Sequence, residues 1–470
     1  MRTLPGFEPR PTPLGRWRDV GEQSDRHLVT PAEEIHPYRS GLDFCSVAPC
    51  QPADVVVCYA PMGKHVIFVA PFFLETTLRF VEGACRLAGV AVSVISQDPS
   101  SRLPPGLKSR LQGHWRVDDA LDPQQLVDAA RGLADRLGQP VAMLGALEQL
   151  QVPLAEARDF LGIEGLDADS ARNFRDKSRM KNVLSSAGLP CARHVLATQA
   201  EHARLFADKA GFPLIAKPPA GAGGKGTFRL NDSQALEALL QKFKPSISQP
   251  VLLEEFVSGT EHSFDSIVVN GKPAWYSISR YSPSPLEVLE NSWIQWCVVL
   301  PRDVSGAEYA PIREAGFRAV TELGLKTGLS HMEWFRLRSG RIAISEVGAR
   351  PPGAQITSLL SWAHDLDFYR AWPELLIFNR FTPPERKYAV GAVYFRGQGR
   401  GNGKVRAVHG LDEAQRQFGH LVVESRLPQL GQSPSDSYEG DGYVILRHPE
   451  TDEIEQALDG IIRLVNVELG

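Results

Sequence analysis

The sequence predicts an α/β protein: an N-terminal parallel α/β lobe, α+β central lobes, and a small β-rich lobe at the C-terminus. Three observations carry this. From Asp54 to about residue 165, short apolar runs alternate with helical patterns, as in strands joined by crossover helices. In the central region strand patterns flank the turns Asn270-Gly271 and Ser339-Gly340, which join antiparallel neighbours. Beyond Val390 strand patterns return.

The elements follow in order. Residues 1–52 are rich in proline, arginine and short polar runs and predict an irregular arm. Segments 54–59 and 65–69 are wholly apolar or nearly so and predict buried strands. A helix over 75–88, a strand over 90–95, a helix over 123–137 and a short strand over 141–144 complete the first lobe. The stretch 169–187 predicts a helix stopped by Gly188-Leu189-Pro190. Next come a helix near 199–210, a strand over 213–217, a glycine-rich loop over 220–226, a helix after Asp232 and a strand over 251–257. A long helix over 307–327 leads into the Ser339-Gly340 hairpin. Gly397 to Gly403 reads as a flexible connection, and 452–465 as a last helix. The expected division is 1–52 arm, 53–168 N-terminal domain, 169–390 central domains and 391–470 C-terminal small domain.

Bulk properties exclude several classes. A chain of 470 residues with net charge −4 is neither a general nucleic-acid binder nor a basic membrane-surface protein. The best apolar run, Val66 to Phe73, is too short to span a bilayer and contains Pro71. The N-terminus has no apolar signal core. None of the six cysteines forms a C-x-x-C pair or has a histidine at zinc-site spacing. A cytoplasmic protein with reduced thiols is the expectation.

The chemistry concentrates at Glu333 and Glu346. With Ser339-Gly340 as a two-residue loop, Arg338 faces Arg341 and Glu333 falls opposite Glu346, on one face and about 5 Å apart. Phe335, Leu337, Ile342 and Ile344 have the same parity, so the carboxylates continue an apolar, core-facing row. Paired carboxylates there require a cation, and all-oxygen ligation favours magnesium together with substrate phosphates. Two rim glutamates on an exposed hairpin is the alternative.

Other residues add to this. The loop after Lys217 contains Gly221, Gly223, Gly224, Lys225 and Gly226. It matches G-x-G-x-x-G, but a returning strand follows instead of a helix, so a dinucleotide fold is excluded. What remains is a loop whose amides and lysines suit phosphate, or a plain flexible turn. Glu254-Glu255-Phe256-Val257 with Glu261 suits an adenine edge and ribose hydroxyls, or is an ordinary strand end. Arg350 suits a phosphoryl group or carboxylate, or is a partner for Glu346. His331 shares the face of Glu333 and is a substrate contact or a structural histidine. Trp275, Trp293 and Trp296 line an apolar pocket or belong to the core.

Taken in order, Asp176-Lys177, Lys217-Pro218 with its glycine loop, Glu254-Glu255-Phe256-Val257 with Glu261, His331-Met332-Glu333 and Glu346 to Arg350 resemble the ATP-grasp superfamily over about residues 54–390. The nearest subgroup is the carboxylate–amine ligases, in particular the bacterial L-amino-acid ligases, to which Gly403 to Gly410 is also similar. The resemblance implies an ATP-grasp fold and an ADP-forming ligase that joins a small-molecule carboxylate to an amine through an acyl phosphate. It implies ATP phosphates at Lys177, Lys217 and the 220–226 loop, adenine at Glu254, Glu255, Phe256 and Val257, and ribose at Glu261. Mg2+ or Mn2+ would lie on Glu333 and Glu346, and Arg350 would steady the acyl phosphate. His331 and Arg396 are candidate substrate contacts, and a homodimer is compatible with the family. Many members have asparagine two residues after the second glutamate; here it is Gly348, which leaves the number of metal ions open. A biotin-carboxylase-like carboxylase and a non-catalytic nucleotide-binding protein are the alternatives, although no Met-Lys-Met carrier segment is present.

Overall fold

The computed structural model describes residues 63–221, 223–224, 226–398 and 403–470. The expected arm, the expected strand over 54–59, Lys225 and positions 399–402 lie outside the described residues.

The first lobe is a parallel sheet of β1 (Lys64–Val69), β2 (Val90–Ser96), β3 (Gly113–Arg116) and β4 (Ala142–Leu144), in the order β3-β2-β1-β4. Val66 to Val69 have no exposed surface, as a central strand covered on both faces requires. The helix Pro123–Leu137 begins on Asp122, whose carboxylate accepts from the Gln124 amide, and ends at Gly138 with φ 80°. Both ends therefore follow from local capping chemistry. The edge strand β3 was not expected; Gly-His-Trp-Arg is short and only partly buried.

The helix expected over 169–187 is two helices, Ala168–Arg175 and Lys177–Ser186. Asp176 breaks them. Its backbone is extended and its carboxylate accepts from the amides of Ser178 and Arg179, capping the second helix. A small antiparallel sheet follows, made of β5 (His194–Ala197), β6 (Leu214–Lys217), β7 (Phe228–Leu230) and β8 (Val251–Glu255), in the order β5-β8-β6-β7. The glycine loop joins β6 to β7, as expected for a returning strand.

The body of the molecule is an eight-stranded sheet. It contains β9 (Gly259–Val269), β10 (Lys272–Ser282), β11 (Trp296–Leu300), β12 (Gly328–Leu337), β13 (Ile342–Gly348) and β14 (Ala389–Phe395). After β15 (Val405–His409) come β16 (Val422–Arg426) and β17 (Gly442–His448), and then β18 (Asn466–Leu469). The sheet order is β13-β12-β9-β10-β11-β14-β17-β16, and β15 pairs with β18. Position 390, where the C-terminal lobe was expected to begin, is inside β14, so the C-terminal strands extend the central sheet. The long helix expected over 307–327 runs only Ala310–Glu322 behind a short 3-10 turn.

Two helices between β13 and β14, Ile356–His364 and Phe368–Phe378, were not expected. Both are apolar around much of their circumference and fill the space between the two sheets, where Phe80, Leu359, Phe368 and Trp372 meet. Gly83 lets the helix Glu75–Cys85 approach closely, because a Cβ there would collide with the Tyr369 carbonyl.

One correction bears on function. Glu333 pairs with Glu346 as expected, but the register slips by one residue between Glu333 and Trp334. Ser345 is the extra residue, so Trp334 faces Ile344 and Arg336 faces Ile342. Ile342 and Ile344 thereby move to the opposite face, into a core with Phe264, Trp334 and Ile312. The carboxylates continue a cleft-facing row with Phe335 and Ala343, not an apolar core row.

Trp334 is fully buried in that core. Trp334→Ala should destabilise the protein by about 3–5 kcal/mol, read as a lower urea midpoint at unchanged slope.

Candidate active site

A cleft of about 690 Å³ opens between the small sheet and one face of the large sheet. Lys177, Lys217, Gly223, Gly224, Glu254, Glu255, Phe256, Val257, Glu261, His331, Glu333, Glu346 and Arg350 all line it. Gly226 is beside it, next to Pro218. Arg396 is not among its lining residues. That guanidinium is buried and donates to the carbonyls of Val288 and Asn291, so it braces the segment after β10 and leaves no hand for substrate.

The break at Asp176 puts Lys177 in the first turn of its helix, where its amide donates to the Pro219 carbonyl at 2.9 Å. Its ammonium reaches Glu346 at 2.8 Å and the Gly221 carbonyl at 3.1 Å. Arg175 donates to Gly221 and Ala220 at 2.8 and 3.1 Å. Both cations therefore hold the root of the glycine loop over the acidic pair. Lys217, ending β6, meets Glu254 of β8 at 2.9 Å. Glu255 is occupied by Arg193, at 2.7 Å from Nε.

The carboxylates are unequal. Burial and the facing Glu346 raise the pKa of Glu333. Glu346 is opposed by burial too, yet Lys177 and Lys217 hold it below its ordinary value. Glu261 is pushed well up by burial and by Glu333. Such a site takes up positive charge. Among the described residues no three or more His, Cys, Asp or Glu side chains gather as a metal-binding group. Glu333 and Glu346 thus offer a partial all-oxygen set, which fits magnesium if phosphate oxygens complete it.

Several functional neighbours were not foreseen. Lys181 lies one helical turn beyond Lys177, a spacing that could have signalled it. It has no exposed surface, lines the cleft, and contacts Glu254 at 3.4 Å. Glu148 accepts from Arg350 Nε at 2.6 Å, with Arg175 at 3.9 Å. Asp265, fully buried, accepts from His331 Nδ1 at 2.7 Å and fixes the ring. Nothing local in the sequence marks Glu148 or Asp265. At Gly348 a Cβ would lie 3.3 Å from Glu148 Oε2, so a side chain there would crowd the Glu148–Arg350 pair.

Residues 182–359 match the family model of the ATP-grasp domain. The chain is 25% identical over 275 residues to the L-arginine-specific L-amino acid ligase of Bacillus subtilis, covering 57% of this chain and 65% of the relative. It is 23% identical over 289 residues to alanine–anticapsin ligase of Bacillus subtilis (strain 168), covering 57% and 60%. The matches thus span less than two thirds of these curated relatives. In three dimensions it is similar to the L-amino acid ligase of Bacillus licheniformis, with a TM-score of 0.69 at 18% identity over 87% of this chain and 99% of the other. No helix among the described residues is long and apolar enough to cross a membrane.

Glu254 holds two buried lysines. Burial opposes its charge, but Lys181 and Lys217 keep its folded pKa below the ordinary value. Its contribution to stability is therefore complete above the unfolded value of about 4.3 and is lost as pH falls through the folded one. Glu254→Gln should cost about 3–5 kcal/mol near neutrality. Urea melts across an acid series should show a smaller penalty at low pH.

Proposed function

We propose that this chain, an ATP-grasp protein by its matched domain and its fold, is an ATP-dependent carboxylate–amine ligase that forms an amide bond and releases ADP and phosphate. The observation that carries the reading is the facing pair Glu333 and Glu346 in one cleft with three lysines, Arg350 and a glycine loop held at its root. Such a set neutralises and positions transferring phosphoryl groups rather than performing covalent chemistry of its own.

In this reading a carboxylate oxygen of the acid substrate attacks the γ-phosphorus. The bond from that phosphorus to the bridging oxygen breaks, and ADP leaves. The amine then attacks the acyl carbon; the carbon–oxygen bond to phosphate breaks, and amide, inorganic phosphate and a proton are released. Lys177, Lys217 and the loop amides would hold ATP phosphates. Glu254, Glu255, Phe256 and Val257 would border the adenine, with Glu255 contributing mainly backbone because its carboxylate holds Arg193. Glu261 would take the ribose, and Arg350, kept oriented by Glu148, would steady the acyl phosphate. Glu333 and Glu346 would hold magnesium, which when bound would neutralise phosphate charge. His331, locked by Asp265, would contact substrate.

The relatives' names place acid and amine substrates among amino acids for those proteins, and the same class is proposed here. ADP and phosphate release is followed with magnesium-ATP against amino acids and small carboxylates, alone and in pairs. Release that requires both partners, with a condensed product by mass, is expected; release that depends only on bicarbonate would favour carboxylation. Glu346→Gln should lower ADP release at least about 100-fold and raise the magnesium concentration needed for half-activity. Unchanged turnover with unchanged magnesium dependence would remove the metal assignment.

A further inference from the structure

The end of the cleft beyond the acidic pair is walled by aromatic rings. Trp296, on β11, is 1% exposed and lines the cleft. Tyr281 meets its ring edge-on at 5.3 Å, and Tyr438 does so at 4.8 Å. Ala354 and Ile356, both nearly buried, complete the wall. The polar boundary is formed by His331 and Arg350: Tyr281 Oη is 3.5 Å from His331 Nε2, and Arg350 is spent on Glu148.

This wall has an unanswered donor. The Trp296 indole N–H has no hydrogen-bond partner among the described residues. A buried tryptophan usually finds an acceptor for that proton, and leaving it without one is costly. Trp334 has the same deficit, but on the sealed face with Ile344 and Met332. Trp296 borders open volume, where an occupant can supply the acceptor. A charged side chain is disfavoured there, since the one nearby cation is already paired and an unpaired buried charge is destabilising.

We propose that this chamber is a specificity subsite for one of the two condensing molecules, taking a bulky, largely apolar side chain that presents a hydrogen-bond acceptor to Trp296. The proposal rests on the ligase reading for which molecules enter, and on geometry alone for the shape and polarity of what fits.

The test uses the full chain with magnesium-ATP and pairs drawn from glycine, alanine, leucine, phenylalanine, tyrosine, aspartate and lysine. At one of the two substrate positions, kcat/KM for the most favoured of leucine, phenylalanine and tyrosine should exceed that for alanine by at least about tenfold, with aspartate and lysine lower still. Tyr438→Ala opens the wall from an irregular segment and should bring that ratio to within about threefold, with the Kd for ATP retained. Trp296→Phe keeps a ring and removes the donor, and should erase any preference for tyrosine over phenylalanine. Equal use of alanine and phenylalanine at both positions, or a ratio unmoved by Tyr438→Ala, overturns the subsite. If no pair releases ADP, the ligase reading fails separately. Calorimetric binding of phenylalanine, tyrosine and alanine to the ATP-loaded chain then decides the subsite: tighter binding of the aromatic pair sustains it, and no difference overturns it.

Discussion

Glu333 and Glu346 oppose each other on adjacent strands inside a cleft, and their repulsion organises what surrounds them. Two unit charges about 5 Å apart cost roughly 3 kcal/mol at an effective dielectric near 20. Lys177 answers Glu346 directly. It can do so because Asp176 ends one helix and caps the next, placing Lys177 at a helix start beside the loop. Lys217 adds charge from β6, and a second buried cation, Lys181, stands behind it. Those lysines in turn require Glu254. The result is a ladder of alternating charge that needs one more positive centre at Glu333, whose own contact is the His331 ring at 4.0 Å.

The facing glutamates were legible in the sequence for a reason only partly right. The two-residue loop assumed at Ser339-Gly340 is one residue longer, since Leu337 N–H donates to Arg341. Taken alone, that would have moved Glu333 out of line with Glu346. The bulge at Ser345 inserts one residue in the other strand and restores the pairing. Two offsets cancelled at the carboxylates but not between them, which is why Ile342 and Ile344 were assigned to the wrong face. A period-two pattern cannot reveal a bulge, because the extra residue leaves composition unchanged.

Parallel strands, helix caps and the glycine loop depend on neighbours within a few positions, so they could be read directly. Glu148 could not, since its partner Arg350 is 202 residues away and arrives through tertiary packing. Arg396 shows the reverse error. Proximity along the chain to a glycine-rich connection suggested a substrate contact, whereas folding buries it against the carbonyls of Val288 and Asn291. Likewise the three tryptophans separate by environment: Trp275 joins the core, Trp293 is 60% exposed and Trp296 borders the cleft.

The backbone bond from Lys177 to Pro219 has a mechanical meaning. Together with the grips of Arg175 and Lys177 on Ala220 and Gly221, it clamps the first part of the glycine loop to a helix. Beyond that clamp Gly223, Gly224 and Gly226 have φ of 64°, 68° and 75°, and a Cβ at Gly224 would come within 2.5 Å of Leu289. The loop is thus a short tongue with a fixed root and a tip resting on the far wall. Its travel is set by the few residues past Gly221, so nucleotide can be admitted or covered without disturbing the lysine that neutralises Glu346.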